Sequence, residues 1–367
     1  MTILRTVGAG LLLASTLWGS PALGQIGGLL PTPEDPPSRQ GTRGGGFLHI
    51  GIGARGNAMA GAVGSSTRGP MAWFWNPAGV SATEGFSIAA GRQNLYGDLG
   101  LHQTYAALNM PILGGVVGIA FNNLNSGDIT RTTETFPFGR RGQGDAFQWN
   151  STAVSLGYGR RLTDRLSVGG DFKFVTEGIT NASLNWLAFD VGTQFQTGIY
   201  GLVLGGTLQH IGGGARVSGP LITRQINDAN INRENTRYDL FTNRVELPTA
   251  FRFSVGEDLY GGPESLLGGG GGVHRVTAEL AVNDAVDLAT QFAVGSEYSF
   301  RNTLFVRGGK KFYNDDRDVG SNSSTYGLSG GFGLRFGLSG RNVRFDYSYT
   351  ALGALQDIQV FSFEFGR

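Results

Sequence analysis

The sequence predicts an all-β protein: a transmembrane antiparallel β-barrel of about 14 strands that encloses an N-terminal plug. Three observations lead to this class. Glycine supplies 62 of the 367 residues and charged residues only 16%, which is too apolar for a disordered chain. An export signal opens the chain. From Phe86 onward, short segments of alternating polarity are separated by turn residues up to the end of the sequence.

The first element is a signal peptide, predicted over residues 1–24. Arg5 precedes the apolar run Val7–Trp18, and small residues at Ser20–Gly24 suit a signal peptidase. The run is shorter than the roughly 20 apolar residues that a membrane-spanning helix needs. The sequence therefore predicts export by a cleaved signal rather than a helical anchor.

Two further segments precede the barrel. Residues 25–46 are predicted to form a linker, because four prolines and the run Gly44–Gly46 favour an extended chain. Residues 47–85 are rich in glycine, alanine and aromatic residues without a steady two-residue period, which predicts a compact irregular plug, or hatch. The barrel is predicted over residues 86–367.

The barrel is predicted from alternation along each segment. Phe172 and Phe174, for example, alternate with Asp171 and Lys173, so that apolar side chains would meet lipid and polar ones the lumen. A water-soluble β-sandwich alternates in the same way, and periodicity alone does not choose between them. The predicted strands begin near Phe86, Leu101, Gly114, Phe147, Leu166, Asn185, Gly201, Val245, Val273, Asp287, Asn302, Thr325, Arg341 and Asp357.

Loop lengths favour the membrane barrel. Many connections after even-numbered strands are tight, whereas those after odd-numbered strands include the long segments Asn123–Ala146 and Gly212–Arg244. Short periplasmic turns opposite long extracellular loops are typical of outer-membrane barrels. The connection Glu257–Gly272 breaks this pattern, because it is long where a periplasmic turn is expected. It is either an insertion or a slip in the strand count.

Phe47–Ala62, followed by Trp73–Val80, resembles the start of the PorV/PorQ family, a branch of the FadL-like (OMPP1) outer-membrane proteins. The resemblance continues through Asn283-Asp284, the Asn302–Phe312 strand and the closing Tyr347–Phe365 hairpin. It implies a fourteen-stranded barrel whose hatch folds into the lumen, in the outer membrane of a Gram-negative (diderm) bacterium.

The resemblance implies two functions of different classes. The first is PorV-like: handling or docking of exported cargo in type IX-like protein secretion, with a secretion translocon and cargo proteins as partners. The alternative is a FadL-like channel for long-chain fatty acids or other hydrophobic small molecules. A purely structural barrel is a third interpretation. Outer-membrane lipid is a partner in each case.

The hatch carries the candidate functional motif: Arg55, Trp73, Trp75, Asn76, Pro77, Ala78 and Gly79. Pro77 restricts Asn76 to extended geometry, and a positive φ at Gly79 would reverse the chain. The tetrapeptide is therefore predicted to be a turn that wedges the plug, with a direct part in gating as the alternative. The tryptophans either anchor the segment by burying their rings or bind an apolar ligand.

Arg55 is predicted to pair with an inward-facing carboxylate, because a cation inside a barrel needs a partner. The candidate partners are Asp171, Asp190, Glu297, Asp346 and Glu364. Such a pair would hold the hatch shut, whereas a solvated luminal charge would contribute little.

No catalytic, cofactor or metal site is predicted. The four histidines are dispersed, there is no Gly-x-Ser-x-Gly motif, and the absence of cysteine excludes thiol catalysis. Gly51, Gly53 and Gly56 match a dinucleotide fingerprint, but no βαβ unit follows them. The net charge of +1 argues against a nucleic-acid partner.

Overall fold

The strands of the computed structural model follow one another around a closed ring. The structure describes residues 39–97, 99–138, 146–228, 233–269, 272–313 and 326–366. The predicted signal peptide and most of the predicted linker lie outside these ranges. Within them, fourteen antiparallel strands close into one barrel, with the first strand paired to the last, which confirms the predicted fold class.

All strands are numbered in chain order, and the numbering includes the four strands of two short loop hairpins outside the barrel. They are β1 (Ser87–Leu95), β2 (His102–Ile112), β3 (Gly115–Asn125), β6 (Asn150–Arg161), β7 (Leu166–Ile179), β8 (Ala182–Gln196), β9 (Val203–Gly212), β12 (Ala250–Tyr260), β13 (His274–Ala285), β14 (Gln291–Phe300), β15 (Leu304–Tyr313), β16 (Leu328–Leu338), β17 (Arg341–Ala351) and β18 (Asp357–Gly366). The loop hairpins pair β4 (Ile129–Thr130) with β5 (Ala146–Phe147), and β10 (Thr223–Asp228) with β11 (Arg233–Asp239).

The predicted strand starts lie within a few residues of those observed. The largest offset is at β12, which was expected near Val245 but begins at Ala250. Val245 instead forms an isolated bridge with Ala215, and Pro248 lacks the N–H that a continuous ladder needs.

Side chains alternate between the lumen and the outside as predicted. Phe172 is 54% exposed on the outer surface, whereas Asp171 and Lys173 beside it are buried in the lumen wall. Phe292 and Phe332 are likewise exposed outward on later strands. A continuous apolar outer surface suits hydrocarbon rather than water, so the barrel is of the membrane-spanning kind. Among the described residues, no helix is long and apolar enough to cross a bilayer.

The two rims differ in the length of their connections. The short-turn rim contains the barrel's two ends and the turns 113–114, 162–165, 197–202, 301–303 and 339–340. The long-loop rim contains the connections 126–149 and 213–249. Because β12 ends at Tyr260 and β13 begins at His274, the connection 261–273 is an insertion on the short-turn rim and the strand count stands. We call it the rim insert.

Candidate functional site in the barrel lumen

Residues 44–86 run through the lumen from the long-loop rim to the short-turn rim, and we call them the luminal segment. At the long-loop rim the Gly44 N–H donates to the carbonyl of Glu246 (3.0 Å). Near the short-turn rim Asn109 Nδ2 donates to Thr83 Oγ1 (2.9 Å). The segment contains helix α1 (Ala54–Ala58), helix α2 (Ala72–Trp75) and the 3-10 helices Gly46–His49 and Pro77–Ala82.

Small residues let the segment pack closely on itself and on the wall. The Trp75 indole lies against Gly56, where a Cβ would overlap the ring. Met59 lies against Gly295 of β14 and Gly309 of β15, where wall and segment backbones approach each other. Glycine and alanine therefore set how tightly the lumen is filled.

The Asn76–Gly79 motif joins the segment to the wall. Asn76 is fully buried, and its Nδ2 donates to the carbonyls of Gly64 (2.8 Å) and Thr193 on β8 (2.9 Å). Its Oδ1 accepts from the Ala78 N–H (3.1 Å), which caps the 3-10 helix that Pro77 begins. The motif thus supplies a helix cap and a wall contact together.

Gly79 does not have the positive φ that the sequence analysis expected. It lies within the 3-10 helix rather than at a chain reversal. A side chain at this position would collide with the Thr67 carbonyl, so the requirement for glycine is one of space. The neighbouring Pro77 carbonyl similarly lies where a Cβ on Gly169 of β7 would be.

Both tryptophans are buried and hydrogen-bonded. Trp73 Nε1 donates to Asn109 Oδ1 (2.7 Å), and its ring lies against Gly118 and Gly157 of the wall. Trp75 Nε1 donates to the Ile52 carbonyl (2.8 Å) within the segment. Each ring is covered and each indole N–H has a partner, so anchoring stays the preferred prediction for both tryptophans.

Arg55 lies beside one of its five candidate partners. Its Nε is 3.1 Å from Glu297 Oε2, and its Nη2 donates to Ser66 Oγ (3.0 Å). Glu297 also accepts from Arg307 Nε (2.5 Å), and Arg307 Nη1 in turn reaches Asp346 Oδ1 (2.7 Å). The segment is therefore joined to an ionic network on β14, β15 and β17.

The other candidate carboxylates lie elsewhere. Asp190 pairs with Lys173 (2.7 Å) and accepts the His210 N–H (2.7 Å), while Asp171 lies 4.0 Å from the same lysine. Glu364 lies against Gly69 of the segment. Asp346 is bound to arginines of the wall, including Arg344 Nε at 2.8 Å.

The long-loop end of the segment is held by polar and apolar contacts. The Gly45 N–H donates to Glu177 Oε2 (2.5 Å), Arg43 pairs with Glu246, and His49 Nε2 lies 2.9 Å from Asp287 Oδ1. Burial raises the pKa of Asp287, but the hydrogen bond and charge of His49, the backbone N–H of Asp287 and the charge of Arg43 together hold that pKa below its usual range. Phe47 packs among the buried residues Val175, Trp186 and Leu247.

Several residues of this candidate site were not identified from the sequence. Arg307 and Arg344 connect Glu297 to Asp346, and Gln93 Nε2 donates to Gln103 Oε1 (2.5 Å) beneath Asn57 of the segment. The sequence does show that these residues occupy the alternate strand positions that face the lumen. Which strands bring them together depends on register, which no local pattern specifies. Among the described residues, no cluster of three or more histidines and acids is placed to hold a metal.

Two cavities flank the segment. The larger, about 500 Å³, lies towards the short-turn rim and is lined by Arg55, Arg68, Glu279, Glu297 and Arg344 among others. The smaller, about 30 Å³, lies between Ile50, Phe74 and Trp75 of the segment and Lys173 and Arg252 of the wall. The lumen is thus charged on one side of the segment and nearly filled on the other.

Comparison with known proteins identifies the fold. No protein-family model matches the sequence, and no curated protein is significantly similar to it. The toluene transporter TodX of Pseudomonas putida has a TM-score of 0.52 at 11% identity, covering 86% of this chain and 96% of that one. A TodX deltaS2S3 mutant, described as a monoaromatic hydrocarbon channel, has a TM-score of 0.50 at 12% identity, covering 86% and 98%.

At this identity the likeness shows the fold alone, a closed fourteen-stranded antiparallel β-barrel that TodX shares. The narrower resemblance to the PorV/PorQ family is not confirmed and stays a prediction.

Proposed function

We propose that this chain is an integral outer-membrane barrel that admits a hydrophobic small molecule, with the luminal segment as its gate. The observation that carries the proposal is the fold shared with TodX, a toluene transporter, along 86% of this chain. In this placement the short-turn rim faces the periplasm and the long-loop rim faces the cell exterior. The alternative that the sequence analysis kept open is therefore preferred.

Transport requires the luminal segment to move. The cavity of about 30 Å³ beside Trp75 has room for a single water molecule, whereas benzene fits an engineered cavity of about 150 Å³. A monoaromatic molecule therefore needs the segment, with Phe74 and Trp75, to shift away from the facing wall. The contacts that resist this shift are those of Arg55 with Glu297 and of Asn76 with Thr193.

The direct test is uptake by cells that lack other hydrocarbon channels. Cells that express this chain should take up radiolabelled toluene or a long-chain fatty acid faster than cells that carry, at similar abundance, an outer-membrane barrel whose lumen is closed to small molecules. Equal uptake of both probes in the two strains would remove the proposal. Comparing the two probes also separates a neutral from a carboxylate substrate.

Docking of exported cargo is a second candidate, and the charged lumen favours it. Arg55, Glu297, Arg307 and Asp346 line the lumen where a continuous apolar tunnel would suit a hydrocarbon. Affinity purification from gently solubilised outer membranes distinguishes the two. A co-purifying translocon or cargo protein supports docking, whereas an isolated barrel with bound lipid supports transport.

A further inference from the structure

Residues 261–269 of the rim insert are folded rather than extended. The N–H groups of Leu266 and Leu267 donate to the carbonyls of Asp258 and Leu259 (3.0 Å each). These carbonyls lie beyond Gly256, the last β12 residue that pairs with β9. The insert therefore donates hydrogen bonds to the end of β12, beyond the residues that pair with β9.

The insert displays two adjacent leucines. Ser265 is buried, and its hydroxyl lies within hydrogen-bonding distance of the carbonyls of Gly262 (3.0 Å) and Gly268 (2.8 Å). Leu266 and Leu267 beside it are 46% and 62% exposed. Exposing two adjacent leucine side chains to water is unfavourable. Their exposure therefore points to an apolar binding partner.

The surroundings of the insert identify that occupant. Tyr260, at the end of β12, is 39% exposed on the outer surface. On the same rim the Arg301 guanidinium lies 5.3 Å from the centre of the Phe300 ring, and that of Arg341 lies 5.3 Å from the centre of the Phe365 ring. Aromatic rings with arginines beside them are typical of the boundary between headgroups and acyl chains.

We propose that Leu266 and Leu267 bind lipid at the headgroup–acyl boundary of the inner leaflet of the outer membrane. The leucine pair is exposed and hydrogen-bonded to the end of β12, where Tyr260 is also exposed. This assignment rests on the membrane placement in the proposed function but not on the transported molecule. Either can therefore fail without the other.

The test uses the absence of cysteine from the chain, which makes one introduced cysteine a unique label site. The variant Leu267→Cys carries a nitroxide spin label in the full-length barrel, reconstituted in phospholipid nanodiscs. Collision rates with oxygen, which partitions into lipid, and with a water-soluble nickel chelate report the surroundings of the label. Phe332→Cys, on the outward face of β16, is the lipid control, and Glu264→Cys, exposed in the same insert, is the water control.

We expect the Leu267 label to collide with oxygen several-fold more than the Glu264 label does, and with nickel several-fold less. Collision rates equal to those of the Glu264 label overturn the proposal. A second result also overturns the proposal. If the label is shielded from both reagents in native outer membranes but accessible to nickel in nanodiscs, a protein rather than lipid covers the leucines. Leu266→Cys repeats the measurement if Leu267→Cys does not assemble.

Discussion

Asn76 shows how one buried side chain holds the luminal segment to the wall. Its amide satisfies two carbonyls, Gly64 on the segment and Thr193 on β8, and caps the 3-10 helix at Ala78. Each group is buried, so removing a partner leaves a polar atom without water to replace it. The wall contact and the local fold are thus maintained by the same residue.

Replacing Asn76 with alanine should lower the free energy of unfolding by on the order of 2–4 kcal/mol, because the Thr193 carbonyl and the Ala78 N–H lose the hydrogen bonds of its side chain. The Gly64 carbonyl keeps a donor in Gln194 Nε2 (3.0 Å). Urea titration of the folded barrel in lipid, followed by its gel mobility without heating, measures the change. The matched control is Asn94→Ala, at an exposed position on β1. Equal midpoints for the two variants would show that Asn76 has no such role.

The Arg55–Glu297 contact makes a second prediction at this scale. Glu297→Ala should destabilise the closed lumen more than Arg55→Ala, because it leaves Arg55, Arg307 and Arg344 facing each other with one fewer carboxylate. Breaking a buried pair in this way costs about 3–5 kcal/mol. Planar-bilayer recordings should show more frequent openings in Glu297→Ala.

An exposed ion pair provides the control for the Arg55–Glu297 contact. Arg275 pairs with Asp258 on the short-turn rim and its side chain is 51% exposed, so Arg275→Ala should change the openings little. If Arg275→Ala and Glu297→Ala give the same recordings, the ionic network does not hold the segment.

At the scale of elements, helix α1 is the part of the segment that meets β15 to β18. Its first N–H, at Ala54, donates to Ser362 Oγ on β18 (2.7 Å), and Arg55 follows with its ionic contact. A helix of five residues has little stability of its own. Its position therefore depends on the wall, and the proposed gating movement would carry it away from the wall as a unit.

A disulfide between α1 and β18 tests whether this departure is needed for transport. Ala54→Cys with Ser362→Cys should block hydrocarbon uptake when oxidised and restore it after reduction, because the bond holds the segment to the wall. The control pair Val306→Cys with Phe332→Cys joins two directly opposed wall residues without touching the segment. Uptake that continues through the oxidised Ala54–Ser362 protein shows that the gate does not involve α1.

For the whole molecule, the direction of the luminal segment is the notable feature. Residues 44–49 contact the long-loop rim, whereas Thr83 lies near the short-turn rim where β1 begins. In the proposed membrane placement, a molecule arriving from the cell exterior meets the start of the segment first. The contacts of Gly45 with Glu177 and of His49 with Asp287 form an outer seal above the ionic network.

This direction predicts which residues an impermeant reagent can reach. Gln40→Cys, next to the seal and exposed, should react with a charged maleimide on intact cells. Ser339→Cys, in a turn of the short-turn rim, should react only after the outer membrane is permeabilised. The reverse labelling pattern would mean that the rims are assigned to the wrong sides of the membrane.

Local sequence patterns predicted most of the fold but little of the candidate site. Alternation placed Phe172 outside and Asp171 inside correctly, because a strand repeats every two residues wherever it pairs. The length of the rim insert was visible, but its role in covering the edge of β12 was not. Gly79 was assigned a positive φ, whereas the Thr67 carbonyl, twelve positions earlier in the chain, is what excludes a side chain there.

The sequence by itself determined the class of the barrel, its strand positions and the face that each side chain takes, since period and turn chemistry are local properties. Only the tertiary structure decided that Arg55 meets Glu297 rather than Asp190, and that Trp73 meets Asn109. Those pairings depend on register around a closed ring and on the path of the segment inside it. Both are set by the packing of residues far apart in the chain.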